Sequence, residues 1–291
     1  MTEILKLLLY FFIYSICGWI LESIFKTIYE KRWVNSGFLH SPLCPIYGVG
    51  AVMMILFLSS FKNNIFLLFI AAFVILSVLE YFVGWLLETL FNTKYWDYTT
   101  NRLNIKGRVC IFNSVIWGIL GVIFIQFLHP AIEGKVNFIS NTYLLISNLI
   151  LLAVLITDTV LTVVKVTSIN KALEKFKDIG ENLKEKLDEL KELNINKELT
   201  IDKIKNLKES AIDKIDDVKE DIGEKIKGIE KAIEELKVRQ NAINVNFYKK
   251  ANRLKKAFPT MKSEKMSMFF EQKLDEKKLK QQKRNIKKNK K

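Results

Sequence analysis

The chain of 291 residues carries a net charge of +14, and the distribution of that charge is more informative than its sum. Residues 1–167 carry a net +3, residues 168–248 carry −2 and residues 249–291 carry +13, so the last stretch holds most of the basic character. A basic globular protein is therefore excluded. The three parts are interpreted as a membrane domain, a charged amphipathic helical segment and a basic tail.

Five apolar stretches in the first part are candidates for transmembrane helices, each of which needs about 20 residues. They are residues 4–25, 42–60, 65–91, 109–128 and 142–166. The first lacks the charged start and the cleavage site of a signal peptide and is interpreted as a retained helix. The second opens with Pro42 and Pro45, which a first helical turn tolerates; a re-entrant segment is the alternative. The predicted fold class is an all-α integral membrane protein with about five transmembrane helices.

The positions of lysine and arginine predict the orientation of these helices. The loops 26–41 and 92–108 and the segment after the fifth span are rich in basic residues, whereas the other connections contain only Lys62 and Lys135. Basic loops stay in the cytoplasm. We therefore expect a multi-pass protein of the bacterial inner membrane, with its N-terminus outside and its C-terminus in the cytoplasm.

A segment of the first span recurs 66 residues later in the third. Residues 18–29 and 84–95 share glycine, tryptophan and glutamate at the same spacing, and a weaker echo links the second and fourth spans. The matched pairs are Gly18 with Gly84, Trp19 with Trp85, Glu22 with Glu88, and Gly48 with Gly118. Two crossings separate the copies, so this pattern predicts a parallel two-helix repeat. Coincidence between two apolar helices is the alternative.

Acidic residues within spans are costly in lipid and must face a polar path or a partner. They are Glu22, Glu80, Glu88 and Asp158. One interpretation is a polar pathway or binding pocket that they line, and the other is a set of interhelical hydrogen bonds and ion pairs. Lys26, four residues after Glu22, is a local partner, and Arg102 or Arg108 would serve Glu88.

The two basic loops are also rich in polar and aromatic side chains, among them Asn35 and Arg108, which are further candidates for polar or transport positions. Aromatic residues at this depth usually anchor a protein at the membrane interface. Ligand binding is the alternative.

The segment 168–248 shows helical periodicity. From Ile222 to Leu236 the apolar residues recur with a mean step of 3.5, the period of a coiled coil. The predicted stripe is Ile215, Val218, Ile222, Ile226, Ile229, Ile233 and Leu236, and its possible counterpart is Leu173, Phe176, Ile179, Leu183, Leu187 and Leu190. We expect two helical pieces that meet near 194–200 and pack on each other or on a second copy in a homo-oligomer. A solvated helical hairpin is the plainer alternative.

The basic tail predicts contact with the membrane surface. Lysine near anionic lipid contributes about 1 kcal/mol per residue, and basic tails also bind RNA without sequence preference. Because the chain is already held at the bilayer, we expect anionic lipid rather than nucleic acid as the partner.

Motifs of known chemistry are missing from the sequence. It contains no G-x-x-x-x-G-K-[ST] phosphate loop, no H-E-x-x-H and no G-x-S-x-G. Its three cysteines form no C-x-x-C pair. The expectation is a protein that is not an enzyme, with no catalytic, cofactor-binding or metal-binding residues, so any ATPase it works with must be a separate chain.

Several motifs spread over residues 10–165 resemble one family of bacterial membrane proteins, the ABC-transporter type IV permeases or CmpB-like family. They are Tyr14-Ser15, Gly18-Trp19 and Glu22; residues 35–39 and 42–48; Glu80-Tyr81; Trp96-Asp97-Tyr98; Asn104; residues 107–110; Trp117-Gly118; and His129-Pro130. The resemblance implies a permease subunit that moves a small solute with a separately encoded ATPase. The chain departs from the family pattern at Ser36 and Ser41, where arginine and glycine are usual. The alternative function is a membrane-anchored scaffold or regulator that acts through its cytoplasmic helices and tail.

Overall fold

A computed structural model describes the backbone of residues 2–204, 212–258 and 260–261 and, within these ranges, all side chains except those of residues 195–204, 212–219, 221, 244–250 and 252. The helices are α1 (Thr2–Glu30), α2 (Pro45–Leu58), α3 (Ile65–Phe91), α4 (Ile111–Ile123), α5 (His129–Val136), α6 (Asn141–Ile204) and α7 (Ile212–Ala257). A 3-10 turn (Ser59–Phe61) extends α2, a π-helical turn (Phe124–Leu128) joins α4 to α5, and β1 (Asn104–Ile105) pairs antiparallel with β2 (Val109–Cys110). The predicted all-α class is confirmed.

Four helical segments are long and apolar enough to cross a membrane. They are Thr2–Glu30, Ile65–Phe91, Ile111–Val136 and Asn141–Asn194. The helix at the predicted second span, Pro45–Phe61, is shorter. Its 14 residues and the 3-residue turn reach about 25 Å, against about 30 Å of hydrocarbon.

The spans predicted at 42–60 and 109–128 begin later in the structure than expected. Helix α2 begins at Pro45 and α4 at Ile111. A residue that precedes proline is held out of helical geometry, and both Ser41 and Cys44 precede one. At the fourth span, residues 109–110 instead form β2.

Contacts near the two ends of the bundle establish how the helices run. Phe38, in the loop after α1, packs on Phe91 at the end of α3, with ring centroids 5.5 Å apart. Near the opposite ends, the Asn148 amide of α6 donates to the Leu5 carbonyl of α1 over 2.8 Å. Helices α1, α3 and α6 therefore run in the same direction, and α2 and α4 return between them.

The loops 31–44 and 92–110 fold inward along the helix that precedes each. The backbone N–H of Cys44 donates to the carbonyl of Ser15, halfway along α1, over 3.0 Å. The Cβ of Arg108 lies 3.5 Å from the position that a Cβ on Gly84 would take, two turns before the end of α3. Polar loop groups are thereby placed inside the bundle, where each must find a hydrogen-bond partner.

Glycine allows the close contact of α1 with α2. A Cβ on Gly18 would overlap the ring of Tyr47, and a Cβ on Gly48 would overlap Ser15 and the Phe11 carbonyl. Two helices approach this closely only where a side chain is absent. Both glycines thus lie where α1 packs on α2, and their role as packing positions of a repeat stays a prediction.

The chain separates into two compact units, of which the first comprises Met1–Ser168 with Ala251–Glu264 and the second includes Ile169–Lys250. In the second unit α6 and α7 lie side by side, since residues 186–193 and 225–232 line one cleft. The buried side chains of this second unit include Leu173, Phe176, Ile229 and Ile233.

The predicted stripe of the extension is only partly buried. Ile222, Ile226 and Leu236 are half-buried, and Leu187 is 37% exposed. The side chains of Ile215 and Val218 lie outside the described residues. Coiled-coil packing therefore stays a prediction.

The break predicted near 194–200 is wrong, because α6 continues without interruption to Ile204. Asparagine costs a helix well under 1 kcal/mol relative to alanine, so Asn194 and Asn196 do not stop it. The lysine, glutamate and leucine that follow are good helix formers. The basic tail from residue 262 onward lies outside the described residues.

Candidate functional site

Glu22 lies two turns before the C-terminal end of α1, where two neighbouring side chains contact its carboxylate. Lys26, one turn later, lies 3.2 Å from its carboxylate, and the Tyr47 hydroxyl of α2 donates to it over 3.4 Å. The Glu22 side chain is 30% exposed. Lys26 also donates to the Ala257 carbonyl at the end of α7, over 2.6 Å. Glu22 therefore connects α1 to α2, and Lys26 connects α1 to the end of α7.

Glu88 forms the corresponding ion pair in α3. Arg108 donates to it through Nε and through a terminal nitrogen, both at 2.9 Å, and its other terminal nitrogen donates to the Tyr81 hydroxyl over 3.0 Å. The Glu88 side chain is 29% exposed. Arg108, rather than Arg102, is thus the partner of Glu88. The pair fixes the loop 92–110 to α3.

Glu80 lies deeper in the bundle and is 5% exposed. The Tyr98 hydroxyl and the Trp117 indole N–H each donate to its carboxyl over 3.1 Å, and the Asn113 side chain hydrogen-bonds it as well. All three of these partners are uncharged. In the sequence, Trp117 stands out only through the family motif Trp117-Gly118.

Asp158 of α6 anchors the inward-folded loop 31–44. Its carboxylate accepts from the backbone N–H groups of His40 and Ser41, over 2.9 and 2.7 Å, and from the Ser41 hydroxyl. Thr162, one turn later, contacts both Asp158 and the His40 ring, and Lys165 lies 2.9 Å from that ring. Burial, then the nearby cations, lowers the pKa of His40. The imidazole is therefore neutral at pH 7.

The two tryptophans of the repeat differ in their surroundings. The Trp19 indole donates to the Asn35 amide oxygen over 2.7 Å, and the Asn35 amide donates in turn to the His40 carbonyl. Trp85 is 43% exposed. Asn35 thus orders the loop 31–44 within the described chain.

The end of α7 packs on the inner loops of the same unit. Arg253 donates to the carbonyls of Gly37, Phe38 and Leu39, over 3.4, 2.6 and 2.7 Å. Phe258 packs edge-to-face on Tyr95, with ring centroids 5.0 Å apart. Burial lowers the pKa of Arg253 from a value so high that the guanidinium stays charged. These contacts close residues 251–258 over the loop 31–44.

A buried aromatic cluster at the opposite end of the bundle was not predicted. His129 is 8% exposed and lies 3.0 Å from the Tyr14 hydroxyl through Nδ1. The π-helical turn ends at Leu128, and His129 and Pro130 follow it directly. Proline has no N–H for the helical ladder, so a register change there costs little. The pair His129-Pro130 was the available signal in the sequence.

Every predicted acidic position has a hydrogen-bond or ion-pair partner, as the structural interpretation requires, and the polar pathway stays a prediction. The partners that sequence reasoning missed are Tyr47, Tyr98, Asn113, Trp117, His40, Ser41 and Thr162. Among the described residues, no group of three or more histidine, cysteine or acidic side chains could hold a metal ion.

Comparison with known proteins gives one match. A family model described as "Putative ABC-transporter type IV" matches residues 9–163. No curated protein matches the chain, and no solved structure does.

Proposed function

Because the match covers more than half of the chain, the protein belongs to the ABC-transporter type IV family, and we propose a function from that membership. The chain is the membrane-embedded permease subunit of a transport complex. A separately encoded ATPase drives the complex, and the cargo is a small solute. The observation that supports this most is that the matched region coincides with the helical bundle that contains Glu22, Glu80, Glu88 and Asp158. That bundle is a candidate for the membrane pathway.

The proposal includes five membrane crossings, with the C-terminal helices in the cytoplasm of a bacterial cell. Its support is the direction of the helices: α1, α3 and α6 run one way, so α2 and α4 must return. The short α2 completes its crossing together with the inward-folded loop 31–44, whose polar groups are buried in protein, as irregular backbone in a membrane must be.

The proposal also includes the parallel repeat. Glu22 and Glu88 are equally exposed, at 30% and 29%, and each is ion-paired. Each inward loop contains a glycine with positive φ, Gly37 at 93° and Gly107 at 70°. Cys44 and Cys110 immediately precede α2 and α4. These correspondences at the ends of α1 and α3 support a duplicated helix pair.

In this function the ion pair between Arg108 and Glu88 holds the loop 92–110 in place, the Asp158 carboxylate holds the loop 31–44, and the solute path lies between the two copies. Movement of the loop 92–110 would leave Glu88 without its cation, which is costly within a bundle. The pair therefore also defines the resting state.

A second candidate is a membrane-anchored scaffold, with the helical extension as its working part. The length of the extension favours it: α6 has 64 residues and α7 has 46, which together offer a long helical surface to a partner. A homo-oligomer formed through the extension remains part of this candidate.

The two candidates are separated by isolating the full-length protein in mild detergent with its cross-linked partners. A permease subunit retains a chain with a phosphate-loop motif in fixed ratio, and the complex hydrolyses ATP. The R108Q variant, which loses the loop anchor, should reduce hydrolysis, whereas R102Q, the exposed arginine of the same loop, should not. Capture of a partner without ATP hydrolysis, bound through residues 169–250, would instead establish the scaffold.

A further inference from the structure

Glu80 differs from the other acidic residues of the bundle in its partners. Glu22 and Glu88 each pair with a cation, and Asp158 accepts two backbone N–H bonds beside His40. Among the residues that the structure describes, Glu80 forms no ion pair and is bound by uncharged groups. It is also far less exposed than Glu22 or Glu88.

The groups around Glu80 accept either protonation state of its carboxyl. The Trp117 indole can only donate, so it requires an oxygen lone pair, which both the acid and the carboxylate provide. The Tyr98 hydroxyl and the Asn113 amide can each donate or accept. They donate to a carboxylate, and one of them accepts the proton of a carboxylic acid. Gain or loss of a proton thus leaves no hydrogen bond unmade.

The charged and titratable groups nearby are already engaged. Arg108 is bound to Glu88 and to the Tyr81 hydroxyl. From α2, the Tyr47 ring packs edge-to-face on the Trp117 ring, and its hydroxyl donates to Glu22. None of these groups supplies a free positive charge to Glu80.

On the loop side, Tyr98 and Cys110 are the titratable neighbours. Burial, followed by the charge of Glu80, raises the pKa of the Tyr98 phenol well above its usual value. The phenol therefore remains an O–H group that can pass a proton on. Tyr98 belongs to the loop 92–110, whose far side is exposed at Thr99 and Thr100.

We propose that Glu80 is a proton-binding site, a carboxylic acid in the resting protein that exchanges its proton with the cytoplasmic side through Tyr98. An ionised carboxylate without a cation is disfavoured in a low-dielectric bundle, whereas the neutral acid fits its three partners. This inference concerns the protonation of one side chain and does not depend on whether the chain transports a solute.

The first test uses dicyclohexylcarbodiimide on the full-length protein in membranes. The O–H of a protonated carboxyl adds across one N=C bond of the reagent, and the O-acylisourea adduct rearranges to a stable N-acylurea. Only protonated carboxyls in apolar surroundings are therefore labelled. Peptide mass spectrometry should locate the label at Glu80 and not at Glu22 or Glu88, which are paired with cations. The labelling should fall as the pH is raised.

The second test uses the E80Q variant and does not depend on the reagent. Glutamine has one acceptor and one donor end and so copies the hydrogen bonds of the neutral acid, but it cannot copy a carboxylate that accepts from all three groups. E80Q should therefore keep the melting temperature of the parent protein, whereas E88Q, which breaks an ion pair, should lower it.

Label at Glu80 together with an unchanged melting temperature of E80Q supports the proposal. Equal labelling of the three glutamates, no label at Glu80, or a loss of stability in E80Q as large as that in E88Q would each overturn it. Exchange through Tyr98 is tested with Y98F by following the carboxylic-acid C=O band that E80Q lacks, in infrared spectra after a rise in pH; the band should decay more slowly in Y98F than in the parent protein, and an unchanged rate would contradict that route.

Discussion

The ion pair between Arg108 and Glu88 offers the sharpest test of how the bundle is held together. In the R108Q variant the Glu88 carboxylate loses two hydrogen bonds of 2.9 Å. Removal of one partner of a buried pair costs about 3–5 kcal/mol. Because the two side chains are 14% and 29% exposed, water recovers part of this, and we expect a loss of about 2–3 kcal/mol.

Thermal unfolding of the full-length protein in detergent measures this loss as a drop in melting temperature. R102Q is the matched control, since Arg102 is an exposed arginine of the same loop, and it should leave the melting temperature unchanged. The double variant with E88Q no longer strands a charge. It should therefore be more stable than R108Q alone, with a coupling of about 1–3 kcal/mol. Strictly additive effects, or an equal loss in R102Q, would refute the reasoning.

Three further predictions concern other contacts of the bundle. G18A should lower the melting temperature by the equivalent of about 1–3 kcal/mol, because its Cβ would overlap an aromatic ring, whereas G134A, with nothing within 4 Å, should not; equal shifts would contradict the close contact. R253Q should expose the loop 31–44 to limited proteolysis, because three carbonyls lose their donor, whereas R239Q should not. Acidification should weaken the fold: the pKa of His40 lies below its unfolded value of about 6.5, so the unfolded chain takes up the proton first. The stability that the neutral ring provides is then lost as pH falls below that value, and H40Q should reduce this pH dependence of the melting temperature.

Much of the helical framework could be predicted from local sequence. Apolar length locates four of the five predicted spans, since a helix that satisfies its own backbone needs only a run of apolar residues. Lys26 was predictable as the partner of Glu22 because four residues form one helical turn. The partner of Glu88 could be narrowed to two arginines by charge alone, and geometry then selected Arg108.

The inward-folded loops could not be predicted, because they depend on contacts between distant parts of the chain. His40 and Asp158 are 118 positions apart, and Arg253 and Phe38 are 215 apart. A loop rich in asparagine, serine and aromatic residues has the same local composition at a membrane surface as inside a bundle. Burial of its backbone is decided by donors and acceptors on other helices, which no local pattern reveals.

The unbroken helix α6 shows the opposite difficulty. The asparagines at 194 and 196 indicated a break, but their local cost is small beside that of starting a new helix, since nucleation fixes several residues for one hydrogen bond. Continuing the helix through a mildly unfavourable stretch therefore costs less free energy than ending it and starting another. The same reasoning applies to Gly223 and Gly228, which α7 also contains.

The sidedness of the turn between α2 and α3 tests the central claim most directly, because it shows whether the short α2 crosses the bilayer. Single cysteines at Thr2, Lys62 and Arg102, in a background without the native cysteines, are treated with a membrane-impermeant maleimide in intact cells. Five crossings predict labelling at positions 2 and 62 from outside, and at position 102 only after the membrane is opened. Labelling of position 62 from the side opposite to position 2 would contradict the crossing by α2 and the parallel repeat.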